Sequence, residues 1–124
     1  MNFITCLNRV ENLIKRKEYD KAWGEANSSL LNLKKAGDEM WFAMYHQLAV
    51  ISAKEKRWSD ALYQTACVIY YLGGFGGKTR EKLVINWLKK IKREDKLDEF
   101  MEISLKNEPT KSRPILYMLF NDKQ

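Results

Sequence analysis

Apolar residues recur along most of the chain at the spacing of one helical face. Phe3, Leu7, Val10 and Leu13 with Ile14 form one stripe, and Trp41, Tyr45, Leu48 and Ala49 form another. Val84, Trp87, Leu88 and Ile91 fall at i, i+3, i+4 and i+7, one side of a 3.6-residue helix. Between these stripes run Tyr19, Ala22, Trp23, Ala26 and Leu30, then Trp58, Ala61, Leu62, Thr65 and Ile69, and finally Leu97, Phe100, Met101 and Leu105. No stretch alternates apolar and polar residues as a half-buried strand does. The pattern predicts helices over about 2–16, 18–35, 39–55, 57–72, 79–93 and 96–107. Gly37-Asp38 and the Gly73–Gly77 run separate them into pairs. Pro109 is expected to end the sixth helix, with Ser112 capping a short seventh over about 112–121 and Pro114 in its first turn. The expectation is an all-α single domain over 1–124: three antiparallel hairpins (about 2–35, 39–72 and 79–107) and a C-terminal helix.

The paired helices repeat. Lys17-Glu18-Tyr19-Asp20-Lys21-Ala22-Trp23, Lys56-Arg57-Trp58-Ser59-Asp60-Ala61-Leu62 and Asp95-Lys96-Leu97-Asp98-Glu99-Phe100-Met101 align with one another. Their anchors Tyr19, Trp58 and Leu97 stand 39 residues apart, as do Ala22, Ala61 and Phe100. Upstream, Asn8, Gln47 and Asn86 keep the same offset. A fixed period of this size is the mark of stacked supersecondary units.

The repeat resembles the tetratricopeptide family on specific residues. These are the aromatic-then-alanine pairs Tyr19…Ala22 and Trp58…Ala61, the small residues Ala26 and Thr65, and Leu48-Ala49 where that family places Leu-Gly. The likeness covers about residues 2–107. It departs at the turn glycine, replaced by Lys17, Lys56 and Asp95, in lacking a closing proline in the first two units, and in a period of 39 against about 34. The resemblance implies a short right-handed solenoid, closed by the C-terminal helix, that binds a peptide or protein in a concave groove. That groove would be lined by the first helix of each hairpin. Register transferred from the turn places Ile4, Leu7, Glu11 and Ile14 there, then Ala43, His46, Val50 and Ala53, then Lys82, Ile85, Lys89 and Lys92. The Lys/Asn/Arg clamp by which some members grip a C-terminal carboxylate is largely absent, because Leu7, Glu11, Gln47, Lys82 and Asn86 stand at its positions.

Charge sharpens that picture. The 124 residues carry 22 Lys+Arg and 16 Asp+Glu, a net charge of +6. Residues 78–93 alone carry +6, with Glu81 their one acid, so the remainder is balanced. Lys82, Lys89, Lys92 and Arg93 are expected on one face at helical spacing, on the groove side, with Lys54 in register. An acidic protein or peptide is the partner this implies, and a nucleic-acid backbone is the alternative. The expected binding residues are Ile4, Leu7, Glu11, His46, Gln47, Val50, Lys54, Lys82, Ile85, Asn86, Lys89, Lys92 and Arg93.

Candidate chemistry adds little. Gly73-Gly74-Phe75-Gly76-Gly77-Lys78-Thr79 resembles a phosphate loop, but Leu72 stands where the first glycine belongs, so an inter-hairpin loop is the better reading. His46 is the sole histidine and neither cysteine has metal-ligand spacing, so no catalytic residue, metal or cofactor is expected. Cys6 and Cys67 read as small, reduced core residues, consistent with a cytoplasmic chain. Most aromatics fall on the apolar stripes, with Phe42, Tyr63 and Phe75 as expected exposed exceptions. The longest mostly apolar run, Ala66 to Leu72, is too short to cross a bilayer. Ile115-Leu116-Tyr117-Met118-Leu119-Phe120 is apolar all round and is expected to cover the last hairpin or to form an exposed homodimer or partner-docking patch.

Overall fold

A computed structural model describes residues 2–121. The helices are α1 (Phe3–Lys15), α2 (Tyr19–Lys35), α3 (Met44–Lys54), α4 (Trp58–Leu72), α5 (Lys78–Lys90), α6 (Leu97–Lys106) and α7 (Pro109–Asn121). Single 3₁₀ turns, Trp41–Ala43 and Glu94–Lys96, lead into α3 and α6. The described residues contain no strand. The repeat anchors Tyr19, Trp58 and Leu97 are the first residues of α2, α4 and α6. The 39-residue period therefore fixes where the second helix of each pair begins.

Each first helix ends in the same device. Lys17, Lys56 and Lys92 adopt φ of 61°, 61° and 60°. Lys17 N–H donates to the Ile14 carbonyl and Glu18 N–H to that of Leu13, at 2.9 and 3.0 Å. Lys56 and Arg57 do the same to Ala53 and Ser52, and Lys92 and Arg93 to Lys89 and Leu88. This paired closure is the Schellman motif, whose left-handed position favours glycine. The third left-handed residue is Lys92 and not Asp95, because the 3₁₀ turn at Glu94–Lys96 intervenes before α6. Left-handed backbone costs a side-chain-bearing residue about 1 kcal/mol. Lys17→Gly should therefore raise the melting temperature by a few degrees, and a fall on calorimetry would remove the strain argument.

The C-terminal boundary also differs from expectation. Pro109 opens α7 rather than closing α6, since a first-turn proline gives up no intrahelical bond. Ser112 lies buried inside α7, its hydroxyl 3.3 Å from the Pro109 carbonyl that accepts its hydrogen bond.

Two apolar clusters sit on either side of α3. Cys6 and Val10 of α1, Ala22, Ala26, Leu30 and Leu33 of α2, and Met44, Leu48 and Ile51 of α3 form the first. Ala49 joins the second, with Ala61, Leu62, Ala66 and Ile69 of α4, three residues of α5, Phe100 of α6, and Leu116 and Phe120 of α7. Helices α1 to α5 pack in chain order, and α4 then receives α6 and α7, while α5 meets α6 only lightly. The Ser52 hydroxyl donates to Gln64 Oε1 at 2.9 Å, tying α3 to α4 inside the protein.

Both cysteines are buried and free, and burial pushes the Cys67 thiol up to about 12. Phe42, Tyr63 and Phe75 are half-buried rather than exposed, and the last two pack against the second cluster. Leu116 and Phe120 are buried, which leaves Ile115 and Met118 as the exposed apolar side chains of that segment. Among the described residues no helix is long and apolar enough to cross a membrane.

Candidate functional site

The charged stretch resolves into a helix face and a turn. Val84, Trp87 and Leu88 bury one side of α5. Lys78, Lys82, Asn86 and Lys89 lie exposed around the opposite side, with half-buried Ile85 beside them. Helical spacing produces this split, since residues three and four apart share a face. Lys92 does not extend that face, because α5 stops at Lys90 and Lys92 takes the left-handed turn. Arg93 follows in the turn, half-buried, with Nη1 3.0 Å from the Lys92 carbonyl it donates to. The expected face of four cations is thus two on the helix and two beyond its end. Lys78, Lys82, Lys89 and Lys92 enter no ion pair among the described residues. Lys90 projects the other way, over the Trp58 ring at 5.7 Å.

The first-helix residues of the other two hairpins are less uniform. Ile4 and Glu11 of α1 are exposed, and Leu7 is half-buried. On α3, Gln47 and Val50 are half-buried and Lys54 is exposed. Helices α1 and α3 pack against each other. His46 is half-buried on α3. Burial, and secondarily the charge of Arg80, hold its imidazole at about 4, and its buried Nδ1 has no hydrogen-bond partner among the described residues. Arg80 in turn donates from Nη1 to the Phe75 carbonyl, closing the glycine loop onto the start of α5. His46 is therefore neutral at pH 7.

A second site has no counterpart in the sequence reading. A cleft of about 340 Å³ opens between α2, α3, the start of α4, and α7. Trp23, Leu30, Tyr45 and Leu48 give it apolar walls, and Tyr63 and Tyr117 face them from α4 and α7. Arg57 pairs with Glu55 at 2.9 Å and Asp60 at 3.1 Å, and its guanidinium lies over the Trp23 ring at 4.8 Å. Tyr117 donates its hydroxyl to the other Asp60 oxygen. Burial, then the bond to Asp60, raise the Tyr117 phenol above its ordinary value. The Arg113 guanidinium lies over both tyrosines, 5.2 Å from the Tyr63 ring and 5.8 Å from that of Tyr117.

No protein-family model, curated protein or solved structure matches the chain. Both faces are therefore read from their own chemistry. Among the described residues no three His, Cys, Asp or Glu side chains gather as a metal site requires. The cleft escaped sequence reading because its lining residues run from Trp23 to Tyr117 with no periodic spacing. Two local hints were present: Arg113 and Tyr117 are four apart on one helix, and Tyr63 falls off the apolar stripe of α4.

Proposed function

We propose that the chain is a non-catalytic interaction module, a tetratricopeptide-like stack of hairpins that holds an acidic segment of a partner protein. The observation that carries this reading is the set of unpaired lysines on α5: Lys78, Lys82 and Lys89, continued by Lys92 in the turn. Exposed lysines with no internal acid project an uncompensated field that draws anionic partners and speeds encounter. Each exposed ion pair contributes only about 0.2–1 kcal/mol, so recognition needs several at once plus apolar contact. Half-buried Ile85 on α5, with Leu7 and Val50 on α1 and α3, offers that contact.

An acidic protein segment is favoured over a nucleic acid by the aromatics. Single-stranded binding uses exposed rings as stacking platforms, and the one aromatic of α5, Trp87, is 3% exposed. The surroundings of the reactive groups fit a non-catalytic role, since Cys6 and Cys67 are buried thiols and burial with the charge of Arg80 holds the His46 imidazole low.

Lys82→Glu with Lys89→Glu should weaken retention of partners recovered from the native host at least tenfold, measured by quantitative pull-down and titration. Unchanged retention of every partner removes the reading. Random oligonucleotides should not be retarded at low salt, and retardation with a steep salt slope would transfer the same face to nucleic acid.

A further inference from the structure

The cleft beneath α7 combines three features that together specify a ligand. The first is charge. Arg57 is held by two carboxylates, a trio with a net charge of −1, and both oxygens of Asp60 are engaged, one by Arg57 and one by Tyr117. Arg113 has no carboxylate among the described residues and is held over two phenol rings at the cleft wall. Arg57, Glu55, Asp60 and Arg113 sum to zero, but among the described residues Arg113 is the lining cation without a carboxylate beside it, and its planar group is suited to one.

The second feature is an unanswered amide. Gln64 is 7% exposed and lines the cleft. Its Oε1 accepts from Ser52, while its Nε2 has no partner among the described residues. That nitrogen is reached by solvent through the cleft, so an acceptor lying there can take its hydrogen bond. The Tyr45 hydroxyl, also in the lining, is likewise without a hydrogen bond among the described residues. The third feature is the apolar wall of Trp23, Leu30, Tyr45 and Leu48. A volume of about 340 Å³ lies at the small end of the ~300–1,000 Å³ typical of small-molecule sites.

We infer that this cleft binds a small organic monocarboxylate with an aromatic or aliphatic body. The carboxylate pairs with Arg113 and takes a hydrogen bond from Gln64 Nε2, while the body lies against Trp23 and Tyr45. A phosphate fits less well, because its second charge finds no second free cation and it has no apolar part to bury. The site shares no residue with the α5 face and stands independently of the acidic-partner reading.

Titration of the isotope-labelled full chain with benzoate tests it, with benzamide and inorganic phosphate in parallel. Benzoate should saturate, move the Trp23 indole and Gln64 side-chain amide resonances, and leave those of α5 in place. Benzamide and phosphate should bind at least tenfold more weakly. Arg113→Gln, an exposed substitution, should weaken benzoate at least tenfold without lowering the melting temperature, and the Lys82→Glu, Lys89→Glu protein should bind benzoate as the parent does. The inference is overturned if benzoate fails to saturate by about 10 mM, weaker than the millimolar range of simple ligands. It is equally overturned if benzamide or phosphate binds as tightly, if the shifts fall outside the cleft, or if Arg113→Gln binds benzoate unchanged.

Discussion

Phe100→Ala should destabilise the protein by about 3–5 kcal/mol, the range for removing a fully buried phenylalanine ring. Phe100 has no exposed surface and belongs to the cluster that joins α3, α4, α5, α6 and α7. Its ring meets that of Phe120 with centroids 6.2 Å apart, linking α6 to α7. The position is informative because its repeat equivalents, Ala22 and Ala61, are alanines that are just as buried. In the first two hairpins the paired helices pack closely, and a methyl group fills the space between them. In the third, α5 and α6 touch lightly and α6 leans on α4 and α7 instead. The phenyl ring fills the wider gap, so alanine there leaves a cavity that three helices must collapse around. Urea unfolding followed by circular dichroism measures the loss, and a cost under about 1 kcal/mol would show that α6 and α7 are not bound into the core. The reverse change, Ala61→Phe, should also be destabilising, because overpacking a tight helix contact costs about 1–3 kcal/mol.

That asymmetry explains how far the chain could be read in advance. Apolar spacing is local, so the helices and the anchors Tyr19, Trp58 and Leu97 were legible to within a few residues. The turns at Lys17 and Lys56 fall where the repeat predicts them, with lysine at the left-handed site and the Schellman bonds of its neighbours closing each helix. The repeat offset predicts the third turn at Asp95, whereas the left-handed residue is Lys92. A 39-residue offset carries over the start of α6 but not the end of α5, since the 3₁₀ turn between them absorbs three residues. For the same reason Lys92 and Arg93 left the helical face assigned to them. The basic character of α5 is plain from composition, whereas the lack of ion pairs to Lys78, Lys82 and Lys89 among the described residues follows only from the packing. The cleft was not legible, because Arg57, Gln64 and Arg113 acquire a shared purpose only once α7 lies beside α4.

Stability should fall by roughly 2 kcal/mol between pH 6.5 and pH 5, at a limiting slope of about 1.4 kcal/mol per pH unit. The cause is His46. In the unfolded chain its imidazole takes a proton near its ordinary value of 6.5, while in the folded protein burial, and then Arg80, hold that value down to about 4. Below pH 6.5 the unfolded state therefore binds a proton that the folded state refuses, and the equilibrium shifts towards unfolding. The contribution is whole above pH 6.5 and drains away as the pH falls towards 4. Glu102, the acid whose value is displaced, is lowered by Lys106 and titrates below this window. His46→Leu should flatten the profile between pH 6.5 and 5 at no loss of stability at pH 7, since Nδ1 has no hydrogen-bond partner to lose among the described residues. Urea midpoints at pH 5, 6.5 and 7 give the readout, and equal midpoints for the parent protein at pH 5 and pH 6.5 would show that the imidazole is not held neutral by burial. Arg80→Gln separates the two causes. Burial is the larger, so in that variant the slope should persist with only its acid end moved upward.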